Sequence, residues 1–127
     1  MPPVINPSVN AIEKYQAAVH DNPKSAEAHT NLGWGHYGKG QQQEALKSFQ
    51  EALALDANAV EAHYGLGLVH KAMNSRAEAI AEFEKAVALA EKLEDPIRQH
   101  MLARLIKGHL NVINTGDWKL GAILSHK

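Results

Sequence analysis

The chain has 127 residues, 45% hydrophobic and 21% charged, a composition that fits one ordinary globular domain and excludes a disordered tail or a multidomain enzyme. Thirteen basic against fourteen acidic residues leave a formal charge of −1, so no cationic field gathers nucleic acid, and the absence of cysteine excludes a disulfide framework, a thiol nucleophile and a thiolate metal site. Met1-Pro2-Pro3-Val4 lacks the basic and then apolar pattern of an export leader, and no 18 consecutive apolar residues occur, so no membrane partner is expected and cytoplasmic residence is the expectation.

The first predicted element spans residues 8–22. Pro7-Ser8 and Asn22-Pro23 bound it, and Ala11, Tyr15 and Ala18 form its apolar stripe. Residues 26–59 read as two helices: His29, Leu32, Gly33 and His36 recur at helical spacing, Gly38-Lys39-Gly40 marks a turn, and Ala45, Phe49 and Ala52 make a second stripe. Residues 60–93 repeat this block 34 positions on. Glu27-Ala28-His29 returns as Glu61-Ala62-His63, Leu32-Gly33 as Leu66-Gly67, His36 as His70, Glu44-Ala45 as Glu78-Ala79, and Phe49 as Phe83. The same shift run backwards from Ala45, Phe49, Ala52 and Ala57 reaches Ala11, Tyr15, Ala18 and Pro23, so the first element is the second half of a partial copy. After Glu94-Asp95-Pro96 a long apolar-periodic run extends from Ile97 to Ile113, with Asp95 as N-cap and Pro96 at the first helical position. Placing Gly116 on Asn74 makes residues 96–126 a degenerate, extended third copy, shifted by 42, with a short last helix over 117–126 that carries Gly121.

The motifs His29-x2-Leu32-Gly33-x2-His36 with Ala45-x3-Phe49, and His63-x2-Leu66-Gly67-x2-His70 with Ala79-x3-Phe83, resemble those of the tetratricopeptide repeat. The chain departs from that pattern in carrying His at both aromatic positions of each copy, and Ala57 and Glu91 where a closing Pro is common. The resemblance implies an all-α, right-handed superhelical solenoid of antiparallel helix pairs, about six helices in all. Gly33, Gly67, Ala45, Ala79, Ala52 and Ala86 are the short residues that let helices approach to roughly 8–10 Å, and Phe49 and Phe83 fill the space between them.

In such a solenoid the first helix of each copy lines the inner surface. At about 100° per residue, Glu27, Thr30, Trp34, Tyr37 and Gly38 lie away from the first buried stripe. The second copy presents Glu61, Tyr64, Leu68, Lys71 and Ala72, and the third Ala103, Ile106, Leu110, Ile113 and Asn114. The expected site is therefore a groove of Thr30, Trp34, Tyr37, Tyr64, Leu68, Lys71, Ile106, Leu110 and Ile113, mostly apolar, holding a protein or peptide ligand as an extended segment or an amphipathic helix. Some members of the family clamp a partner's C-terminal carboxylate with Lys and Asn. Here Thr30, Trp34 and Gly65 stand at such positions, which argues against that mechanism.

Two other readings compete. Ile106, Leu110 and Ile113 are equally explained by cover from Leu120 to Leu124 or from a second copy, which makes the chain a self-assembling scaffold or homodimer; Trp34 is also explained by packing on the N-terminal helix. The repeating histidines His29, His36, His63 and His70 invite a remote metal-binding alternative, although no Asp or Glu repeats with them in ligand geometry, and they read better as packed stand-ins for aromatic rings. Partly buried imidazoles lead to the expectation that the fold weakens as pH falls. No phosphate-gripping glycine loop, nucleophile elbow or His-Glu-x-x-His motif occurs, so no catalytic residue and no cofactor are expected.

Overall fold

The computed structural model describes the backbone of residues 7–115 and the side chains of residues 12–114. These residues form six helices and no strand: α1 (Pro7–Asp21), α2 (Ala26–Gly38), α3 (Gln42–Leu55), α4 (Val60–Ala72), α5 (Arg76–Ala90) and α6 (Pro96–Thr115). Each helix packs on its neighbours in sequence, and α2 also touches α4, which gives an all-α solenoid. The expected helix over 117–126 lies outside the described residues.

The turns between paired helices follow from local chemistry repeated at the 34-residue period. Gly40 has φ +75° and Asn74 has φ 61°, the left-handed conformation that glycine adopts freely and asparagine tolerates. Gly40 N–H donates to the Tyr37 carbonyl and Gln41 N–H to that of His36; Asn74 and Ser75 repeat the pattern on Lys71 and His70. Both helices thus end in the same Schellman turn, which reverses the chain so that α3 and α5 fold back on α2 and α4. Ser25 caps α2 by accepting from Ala28 N–H at 3.1 Å, and Asp95 Oδ1 accepts from Ile97 and Arg98 N–H at 3.0 and 3.3 Å at the start of α6.

The core forms around two phenyl rings. Phe49 and Phe83 have no exposed surface. A Cβ added to Gly33 would come within 2.7 Å of the Phe49 ring, one on Gly65 within 2.4 Å of it, and one on Gly67 within 2.5 Å of the Phe83 ring. Phe49 is therefore wedged between α2 and α4 at two glycines. Gly65, set apart in the sequence only as a missing Asn, is fixed by this contact. At the other side of α2, Ile12 and Tyr15 of α1 approach Gly35.

The third copy corrects the sequence register. Ile106 is fully buried and Ile113 and Ala103 nearly so, and Ile106 and Ile113 join Phe83, Ala86 and Ala90 of α5 in one cluster. The stripe assigned to the groove is thus the face of α6 that packs on α5; the expected cover by Leu120 to Leu124 falls outside the described residues. The apolar side chains that α6 leaves in solvent are Ile97, Met101 and Leu105, at 71%, 64% and 48% exposure. Residues four apart in a helix share a face, so these three form one stripe, rotated by about 100° from Ile106. Contacts between α4 and α6 join Glu61 to Arg98, Lys71 to His109 and Tyr64 to His109.

Candidate functional site

Helices α2, α4 and α6 lie side by side, and their side chains meet in a band of rings. Trp34 packs edge-on against Phe49 with ring centres 5.0 Å apart, lies 5.7 Å from Tyr64 and meets Tyr37 edge-on at 6.3 Å. Tyr64 continues the band to Phe83 at 6.0 Å and to His109 at 5.6 Å, and the His109 ring stacks on Phe83 at 5.4 Å. Each such contact adds about 0.5–1.5 kcal/mol to area burial, so the rings tie successive repeats together as well as facing outward.

The expected groove residues therefore divide. Trp34, Tyr37, Tyr64, Lys71 and Leu110 are half-buried and keep part of their surface in solvent. Thr30, Leu68, Ile106 and Ile113 are buried; Thr30 returns its hydroxyl to the Ala26 carbonyl at 2.8 Å, and the other three belong to the core around Phe83. Burial makes Leu68 and Ile106 supports of the groove, a correction of their expected contact role, whereas Thr30 and Ile113, 7% and 9% exposed, each line a cavity. Trp34 takes its place against Phe49 and Tyr64; α1 meets α2 at Gly35 instead.

At the start of α2 and α4 the band opens into a cleft of about 550 Å³. Its walls are Ala26, Glu27, Thr30, Asn31 and Trp34 of α2, Asp56, Asn58 and Ala59 of the loop between α3 and α4, Val60 and Glu61 of α4, Leu93 of the segment before α6 and Arg98 of α6. Asn31, Asn58, Leu93 and Arg98 were not among the expected groove residues, since loop positions have no periodicity to read and the start of α6 reaches the cleft only in the folded chain. Within this lining Arg98 pairs with the Glu61 carboxylate. A smaller hollow of about 350 Å³ lies at the far end of α4, lined by Lys71, Asn74, Arg76, Ala79, Val112 and Ile113.

The histidines have individual roles. His63 Nε2 lies 2.9 Å from the Ala57 carbonyl and Nδ1 2.7 Å from Glu82 Oε1, two acceptors that favour the doubly protonated ring. The Glu82 hydrogen bond outweighs burial and raises its pKa; burial opposes ionisation of Glu82, but the His63 hydrogen bond and charge prevail and lower its pKa. His29 has its Nε2 on the Pro23 carbonyl at 2.9 Å in the same way, but its Nδ1, 3.2 Å from the Glu51 carboxylate, makes no hydrogen bond among the described residues. His109 behaves oppositely, its pKa lowered by burial and by the Lys71 charge. One neutral tautomer satisfies both its neighbours, Nε2–H donating to Tyr64 Oη at 3.1 Å while Nδ1 faces the Lys71 ammonium at 3.5 Å. Burial, with Tyr37 nearby, raises the pKa of the Tyr64 phenol. Among the described residues no three His, Asp or Glu side chains come together as metal ligands, and no helix is long and apolar enough to cross a membrane.

Comparison with known proteins bears on this geometry. Residues 35–74 match a family described as TPR repeat, and residues 60–93 one described as Tetratricopeptide repeat. Among solved structures the fold is similar to that of PcrH in complex with the chaperone binding region of PopD, with a TM-score of 0.77, 21% identity, and 85% of this chain and 79% of that one covered. It is similar to the Yersinia enterocolitica type III secretion translocator chaperone SycD at a TM-score of 0.77 and 17% identity, covering 86% and 73%. The first TPR of Spaghetti (RPAP3), bound to the HSP90 peptide SRMEEVD, gives a TM-score of 0.64 at 19% identity, covering 81% and 79%. No curated protein sequence matches significantly. The two profiles match the duplicated helix pairs, so residues 35–93 carry tetratricopeptide repeats, and the chain has the solenoid fold of proteins built from them.

Proposed function

We propose that this chain is a non-catalytic interaction module, residing in the cytoplasm, that holds a peptide or an amphipathic helix of a partner protein along α2, α4 and α6. The cleft of about 550 Å³ beside Trp34 carries this reading: it combines the apolar Trp34, Val60 and Leu93 with a larger set of polar and charged side chains and is roomy enough for several side chains of a ligand. Similar solenoids were solved with a chaperone binding region and with an HSP90 peptide, which supports a protein or peptide as the class of ligand. The half-buried Trp34, Tyr37, Tyr64, Lys71 and Leu110 are its proposed contacts. Filling the cleft tests it. Asn31→Trp is expected to weaken capture of peptides selected from a random library by about ten-fold or more while helicity is kept, and undiminished capture refutes the reading.

A second reading rests on a separate observation, the exposed stripe of Ile97, Met101 and Leu105 on α6 with a shallow apolar hollow beside it. A second copy seated there makes a homodimer. Light scattering of the parent against Met101→Glu, Leu105→Glu decides it: a dimer dispersed by the charges supports self-assembly, and a monomer throughout removes it.

A further inference from the structure

We propose that the cleft beside Trp34 receives a cationic side chain, lysine or arginine, from the bound peptide, and that this contact sets the peptide's direction along the groove. The proposal rests on the peptide-groove reading above and adds the chemistry of one end of the ligand. Three carboxylates line the cleft, Glu27, Asp56 and Glu61, against one cation, Arg98. Arg98 is taken by Glu61, and Asp56 accepts the Asn58 N–H at 3.0 Å, while Glu27 has no ion pair among the described residues. The starts of α2 and α4 each add about half a positive charge, and even with both the lining keeps about one negative charge in excess. An ammonium or guanidinium is drawn in by that excess. Its methylene stem lies well against Val60, Leu93 and Ala59, and the Trp34 indole offers a wall to the cation itself.

The opposite end of the groove has the opposite charge. Lys71 and Arg76 line the hollow at the end of α4, and the ten residues from Glu61 to Lys71 span about 15 Å of helix. A segment with a cation at one end, apolar residues over the ring band and an acidic group about 15 Å further on is thus matched in one direction and repelled in the other.

A double-mutant cycle provides the test. Dodecapeptides are selected from a random library on the intact chain, and the most enriched one is synthesised with a fluorescent label as the probe. Enriched sequences are expected to carry Lys or Arg at one end of an apolar run. Replacing that residue by norleucine is expected to weaken binding about ten-fold to the parent, but by less than about two-fold to a Glu27→Gln, Glu61→Gln variant whose fold is verified by circular dichroism. Apolar peptides without an enriched cation, or an equal loss in both chains, overturn the cation site and leave the groove standing. Enrichment of acidic residues at that end overturns it as well. Failure to enrich any peptide overturns the groove reading itself, and this inference with it.

Discussion

Glycine positions separate what packing demands from what the helix merely tolerates. Gly65 faces the Phe49 ring with no room for a methyl group, whereas Gly108 of α6 has nothing within 4 Å of where a Cβ would stand. Gly65→Ala is therefore expected to cost about 1–3 kcal/mol and Gly108→Ala to stabilise by up to about 1 kcal/mol, both measured by urea denaturation. His63 corrects the expectation that the histidines weaken the fold as pH falls. Its folded pKa lies above 6.5, so its contribution is fully present below pH 6.5 and is lost as pH rises through the folded pKa. Glu82, with a folded pKa below 4.5, contributes above pH 4.5 and loses this as pH drops through its folded value. The pair thus contributes most between about pH 4.5 and 6.5. His109 has the opposite sign: its folded pKa lies below 6.5, so protonation of the unfolded chain weakens the fold as pH falls below 6.5. Stability against pH for His63→Asn and His109→Asn, each subtracted from the parent, is expected to give differences of opposite slope through this range. Parallel curves would refute both assignments.

At the scale of the element, α6 is positioned by its buried stripe rather than by its ion pairs. Ile106 has no exposed surface and sits against Phe83, so Ile106→Ala is expected to destabilise by about 2–5 kcal/mol in thermal or chemical denaturation. Arg98 and Glu61 are each about half exposed, and Arg98→Ala is expected to cost no more than about 1 kcal/mol. If the order of these two were reversed, the register of α6 described here would be wrong. Helices α2 and α4 were legible because both copies carry the same stripe and end in a turn at the same position, Gly40 in one and Asn74 in the other. On α6 the sequence offers two apolar stripes, Ala103, Ile106, Leu110 and Ile113 against Ile97, Met101 and Leu105. Periodicity cannot say which of two stripes packs on a neighbour, and only the meeting with Phe83 decides it.

Across the whole molecule, each helix is held mainly by those next to it, so stability rises toward the middle of the stack. Helix α1 packs on α2 and has no fully buried residue among its described side chains, while α4 has eight buried residues. Amide hydrogen exchange is expected to be slowest in α3, α4 and α5 and fastest in α1; uniform protection would contradict a nearest-neighbour solenoid. The sequence by itself determined the helical class, the 34-residue duplication and the turn positions, because these depend on local conformational preference and on spacing within one segment. The structure decided the register of the last helix and the division of Trp34 and Tyr64 between core and surface. It also brought Glu27, Glu61 and Arg98 to one cleft from residues up to 71 positions apart. Those outcomes depend on which faces of separate helices meet, and that is settled by how side chains fill the space between them rather than by any pattern along the chain.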